Sequence, residues 1–162
     1  FGAMGKGYAA NRAKGIMEKI EGIQGGIVNA GGDLIAWGES NVPEGWAIKI
    51  ADPKDKNKML GSIQLQNQAI VTSGDYEKFV VFDGKRYAHI IDPRTGYPTT
   101  GIKSVTIISP DAELSDALAT SVFVMGVTEG LALINEINGV EGLIVTDADE
   151  LLTTENLKLN YY

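Results

Sequence analysis

Asp116 and Thr120 stand four residues apart in the run Ser115-Asp-Ala-Leu-Ala-Thr120. In a helix, that spacing sets both side-chain oxygens on one face. A carboxylate and a hydroxyl so placed suit a hard cation such as Mg2+, which takes oxygen ligands and leaves room for phosphate and water. The same residues also read as ordinary helix chemistry: Ser115 as the N-cap, Asp116 in the first turn, and Thr120 bonded back to a carbonyl. His89 is the single histidine and sits in Tyr87-Ala-His-Ile-Ile-Asp-Pro-Arg-Thr-Gly-Tyr-Pro98. An imidazole can hold or pass a proton. It can equally be a structural histidine beside a turn, and Asp92-Pro93 with Gly96 is turn chemistry.

Three further runs carry weaker signals. Phe1-Gly-Ala-Met-Gly-Lys-Gly-Tyr8 is a glycine loop leading into a helix, which offers backbone N–H groups to a phosphate, with Lys6 as a point charge. It is no P-loop, because the glycine spacing fails and no Ser or Thr follows the lysine. A solvated lysine is the plain alternative. In Asn29-Ala-Gly-Gly-Asp33, Gly31 and Gly32 suit a turn with positive φ, and Asp33 reads either as a turn carboxylate or as a ligand. In Val71-Thr-Ser-Gly-Asp-Tyr76, Ser73-Gly74 is a loop and Tyr76 a core aromatic.

The elements that must position these residues follow from periodicity. A helix is expected over 8–21, with Ala9, Ala13, Ile16, Met17 and Ile20 on one face and Gly22 closing it. Strands are expected at 26–30, 34–37, 46–50, 60–66, 69–73, 78–82, 86–91 and 104–109, with 52–58 a solvated turn. Alternation turns His89 to the face opposite Ala88 and Ile90. A helix over 113–125 presents Leu114, Ala117, Leu118, Ser121, Val122 and Met125, and another covers 128–137. Strands at 143–146 and 151–154 form a hairpin-like pair. The fold class is α+β, a mostly antiparallel sheet packed with helices.

The 162 residues amount to one domain, 1–162, with 44% hydrophobic and 22% charged residues. The net charge of −7 and the lack of a basic cluster argue against nucleic acid as a partner. The absence of cysteine excludes disulfides, thiolate catalysis and cysteine zinc sites, and suits an oxidising compartment. No stretch reaches the about 18 apolar residues of a membrane span. Residues 1–7 read as an internal loop rather than a terminus, so the chain is expected to be part of a longer protein.

In chain order, Gly5-Lys-Gly-Tyr-Ala-Ala10, Asn29-Ala-Gly-Gly-Asp33, Thr72-Ser-Gly-Asp-Tyr76, His89-Ile-Ile-Asp-Pro-Arg-Thr-Gly-Tyr-Pro98 and Ser115-Asp-Ala-Leu-Ala-Thr120 resemble the ApbE family. These are FAD:protein FMN transferases, once called thiamine-biosynthesis lipoproteins, with a T-fold-like architecture. The resemblance implies that FAD is split at its pyrophosphate with Mg2+. FMN then passes to a threonine hydroxyl of an acceptor flavoprotein, and AMP leaves. Some relatives instead hydrolyse FAD to FMN and AMP, and a non-catalytic flavin-binding module is a third reading.

The resemblance also implies site residues. Mg2+ ligands fall on the Ala3 carbonyl, the Asp116 carboxylate and the Thr120 hydroxyl. FAD contacts fall on Lys6, Asn11, Gly32, Asp33, Ser73, Gly74, His89, Ile90 and Ile91. His89 and Asp116 are the residues at the reacting diphosphate. Where the family has an acidic residue five after the lysine, this chain has Asn11, which keeps an acceptor oxygen without the charge. The family's large N-terminal half, which supplies much of the flavin pocket, has no counterpart, so the chain is expected to be the C-terminal portion. The implied setting is the bacterial periplasm or the outer face of the cytoplasmic membrane. Attachment would run only through a lipid anchor outside this chain, and a homodimer is expected.

Overall fold

The structure is a computed structural model that describes residues 2–52, 55–75 and 79–161. Phe1 and Tyr76, both singled out in the sequence, lie outside the described residues. The elements run α1 (Gly5–Met17), β1 (Gly25–Ala30), β2 (Asp33–Gly38), β3 (Trp46–Asp52), β4 (Asp55–Leu65), β5 (Gln68–Gly74), β6 (Phe79–Phe82) and β7 (Lys85–Ala88). They continue with β8 (Ile102–Ser109), α2 (Ala112–Met125), α3 (Val127–Glu136), β9 (Glu141–Thr146), β10 (Leu151–Thr153) and β11 (Asn160–Tyr161). No helix among them is long and apolar enough to cross a membrane.

The main sheet has six strands in the order β1-β2-β5-β8-β9-β10, and every neighbouring pair is antiparallel. Its central strand β8 is buried almost throughout, as its run Ile-Lys-Ser-Val-Thr-Ile-Ile requires of a strand covered on both faces. On one face α2 packs Leu118, Ala119, Val122 and Phe123 against Val71, Val105, Ile107 and Ile144, with Ile134 of α3 behind them. The opposite side is closed by a smaller sheet, β11-β4-β3, through Ile50, Ile63 and Leu65. The class is α+β with a mostly antiparallel sheet, as the sequence indicates.

Three local expectations are corrected. The turn placed at 52–58 is shorter, because β4 already pairs with β3 at Asp55. Ladder pairing at a sheet rim asks for backbone groups rather than apolar side chains, so a polar run continues the strand. Helix α1 starts at Gly5 and ends at Met17, and its buried residues are Gly7 and Ala10. Ile16 and Ile20, expected inside, are 64% and 51% exposed. Small residues face inward because α1 lies hard against the start of α2, where a side chain at Gly7 would strike backbone. In α2 the N-cap is Asp111, not Ser115: the Asp111 side chain accepts the Leu114 N–H at 2.8 Å. Ser115 and Asp116 are buried further along the helix, and Leu114 is exposed. The buried face is therefore rotated towards two polar residues that an apolar pattern leaves outside.

Candidate active site

The β1–β2 hairpin closes on Gly31 and Gly32, with φ of +65° and +104°, and Ala30 faces Asp33 across the turn. A two-residue loop with both φ positive is a type I′ turn, which glycine adopts without strain. Asn29 Oδ1 accepts the Gly32 N–H at 2.8 Å and completes it. The turn delivers Asp33 inward, where its side chain has no exposure. Lys6, in the first turn of α1, reaches across and donates from Nζ to Asp33 Oδ1 at 2.8 Å. From the other side α2 brings Asp116, 3% exposed, whose Oδ2 accepts the Gly7 N–H at 3.1 Å. The first amides of a helix have no intrahelical acceptor, so a carboxylate from α2 caps α1.

Lys6 and Asp116 lie on one wall of a cleft of about 430 Å3. Ala3, Lys6, Asp116 and Thr120 line that wall, Ser73 and Gly74 at the end of β5 line a second, and His89, Ile90 and Ile91 close the rim. Nine of the residues singled out in the sequence thus meet in one space although they come from four separate segments. Three stand apart from its lining. Asp33 is buried behind Lys6. Gly32 lines a separate hollow of about 260 Å3. Asn11 turns its Oδ1 to the Ala112 N–H at 3.1 Å, an amide of the first turn of α2. Thr72 also lines the cleft and pairs its hydroxyl with that of Thr106 at 2.8 Å. It belongs to the Thr72–Tyr76 run that the sequence singles out, though not as a site residue by itself.

Burial raises the Asp33 carboxyl from 3.8 to about 6; the Lys6 hydrogen bond pulls it back down, and the nearby Asp116 carboxylate adds to the rise. The folded protein thus holds this proton more tightly than the unfolded chain does. The stabilisation is present below about pH 4 and lost as pH rises through about 6. The difference in melting temperature between wild type and Asp33→Asn, measured in EDTA, is expected to grow in favour of the variant across that window.

The loop after β7 is closed by its own backbone. The Asp92 carbonyl accepts the Gly96 N–H at 2.8 Å, and the Thr99 N–H donates to the Ile90 carbonyl at 2.9 Å. His89 falls at the bend after β7 rather than within a strand, so it is exposed at the cleft rim and not a buried structural histidine. Arg94 pins the loop to α2. Its guanidinium holds the Asp92 carboxylate at 3.0 Å and donates to the Val124 carbonyl at 2.8 Å, in the last turn of the helix. This holds the Asp92 carboxyl below the usual carboxylate range and the guanidinium above its own. Arg94→Ala is expected to raise the KM for the ligand of this cleft several-fold with little change in melting temperature, a split that steady-state kinetics and thermal melting would show.

The donors fit a hard cation. The Asp33 Oδ2 is buried without a hydrogen-bond partner, beside Asp116 and a single ammonium. Two acids against one lysine leave local negative charge that a divalent ion offsets. Asp116, Thr120 and Ala3 line the cleft, and a carboxylate, a hydroxyl and a backbone carbonyl are oxygens that a hard cation takes. Among the described residues no three His, Asp or Glu side chains converge to hold a metal ion.

Comparison with known proteins identifies the family. An "FAD:protein FMN transferase" of Klebsiella pneumoniae (strain 342) is 33% identical over 99% of this chain and 49% of its own length. One of Treponema pallidum (strain Nichols) is 35% identical over 90% of the chain and 42% of its own. The crystal structure of the ApbE protein of Thermotoga maritima superposes with a TM-score of 0.85 at 38% identity, covering 94% of this chain and 50% of that one. The flavin transferase ApbE of Vibrio cholerae gives 0.79 at 30% identity, with 94% and 49% covered. The chain thus spans about half the length of the relatives it matches. The ApbE family model itself matches residues 1–144, and these residues hold the whole cleft. The chain belongs to the ApbE family.

Proposed function

We propose that the protein is an FAD:protein FMN transferase dependent on Mg2+, and that this chain carries its diphosphate-handling half. The observation that supports this best is the convergence of Lys6, His89, Asp116 and Thr120 on one cleft beside an acid pair in need of a cation. The names of its relatives point the same way.

Phosphoryl transfer asks chiefly for positioning and charge stabilisation. Asp116, Thr120 and the Ala3 carbonyl would hold Mg2+, which when bound polarises the phosphoryl oxygens. Lys6 places an ammonium against the diphosphate. The threonine oxygen of the acceptor bonds to the FMN phosphorus, the pyrophosphate P–O bond breaks, and AMP leaves. His89, at the rim, hydrogen-bonds the diphosphate or takes the hydroxyl proton. Asp116, committed to the cation, is not the base. A chain without cysteine fits the oxidising side of a membrane, the setting we propose for it.

The test is AMP release from FAD by the protein expressed at full length, with Mg2+ or with EDTA, and with or without a threonine-bearing acceptor. AMP that needs both Mg2+ and the acceptor supports transfer. Free FMN without an acceptor indicates hydrolysis at the same site. Tight FAD binding without turnover, unaffected by Asp116→Ala, would instead mark a binding module.

A further inference from the structure

Asp33 is wholly buried, yet its side chain serves no local structure. The turn before it is completed by Asn29, not by Asp33. Its Oδ2 has no partner, and its Oδ1 accepts from Lys6 Nζ at 2.8 Å. A buried carboxylate kept for stability is normally satisfied on both oxygens. This one is satisfied on one oxygen, by the lysine of the cleft wall.

Lys6 itself is 41% exposed and lines the cleft. Its stem passes over the β1–β2 turn, where a Cβ at Gly31 would lie 3.8 Å from Lys6 Cδ. A lysine ammonium on four rotatable bonds spreads over many positions unless something fixes it. Core packing gives the Asp33 carboxylate a fixed place, and the short ion pair passes that fixity to Nζ. The partner is therefore behind the wall while the charge is at its surface.

We infer that Asp33 is a positioning residue for FAD: it acts through Lys6, holding the ammonium beside Asp116 where the diphosphate oxygens must lie. This rests on the phosphoryl-transfer reading above. Asp33 does not line the cleft, and the part of its effect that runs through Lys6 must vanish when Lys6 is removed.

A double-mutant cycle on the protein expressed at full length tests this, with Asp33→Asn, Lys6→Met and both together. FAD affinity is measured by flavin fluorescence in EDTA, and KM and kcat by AMP release with Mg2+. Each single change is expected to weaken FAD binding by about tenfold, the scale of one charge-assisted hydrogen bond. The pair is expected to be no worse than Lys6→Met alone, and KM is expected to rise more than kcat falls. Asp33→Asn is expected to remain folded. Additive losses, undiminished FAD affinity in Asp33→Asn, or an Asp33→Asn protein that fails to fold would each overturn the positioning role. A wild type that neither binds FAD nor releases AMP would overturn the phosphoryl-transfer reading and this inference with it.

Discussion

Asp116→Asn is expected to lower Mg2+-dependent AMP release by about a thousandfold, the scale of the several kcal/mol a metal contributes to a transition state. The amide keeps the size of the side chain and an oxygen for the Gly7 N–H, now accepted by Asp116 Oδ2 at 3.1 Å. It loses the charge that ligates a cation. Melting temperature is expected to stay within a few degrees, because one carboxylate of a crowded pair has been neutralised. Thr120→Ala is expected to be milder, since one neutral oxygen among several is lost. Kinetics and thermal melting on the same samples separate the two roles of Asp116. Retained turnover with a lowered melting temperature would mean that it only caps α1.

Gly7→Ala is expected to damage fold and activity together. A Cβ at Gly7 would lie 2.2 Å from the Ala112 carbonyl oxygen and 2.6 Å from its carbon. Both are backbone atoms at the start of α2, so no side chain can swing aside, and the two helices must part. Overpacking of this kind costs about 3 kcal/mol, which in a domain of this size lowers the melting temperature by roughly 10 °C. Ala3, Lys6 and the amide held by Asp116 all lie within four residues of Gly7. Moving α1 therefore displaces a wall of the cleft, and FAD affinity is expected to fall even at temperatures where the variant is folded. Circular dichroism melting with flavin fluorescence measures both.

The site was more legible in the sequence than the surfaces that hold it. The His89–Pro98 loop and the Asp116–Thr120 pair could be read because turn chemistry and helical spacing are local. Their meeting with Lys6 and Ser73-Gly74 depends on sheet order, which no local pattern contains. The inward faces of α1 and α2 were misread for one reason. Pattern reading ranks positions by apolar size, so it places Ile16 and Leu114 inside. Close helix contact instead selects small residues, and Gly7 and Ala10 decide how α1 sits. Asp33 is the sharpest case. After Gly-Gly it resembles a solvated turn acid, and only the tertiary structure shows it sealed behind Lys6. Asn11, where the resemblance implies an acid, bonds the Ala112 amide and does not line the cleft.

Asp33→Asn is expected both to stabilise the metal-free protein and to weaken FAD binding, because charge would be stored where the ligand needs it rather than where the fold does. The most direct test of the central claim is the intact mass of an acceptor flavoprotein after incubation with FAD and the protein expressed at full length. With Mg2+ the acceptor is expected to gain one FMN, with one AMP released per flavin attached. The gain is expected to disappear with EDTA, with Asp116→Asn, and when the acceptor threonine is changed to alanine. An acceptor of unchanged mass alongside intact FAD would contradict transfer at this cleft.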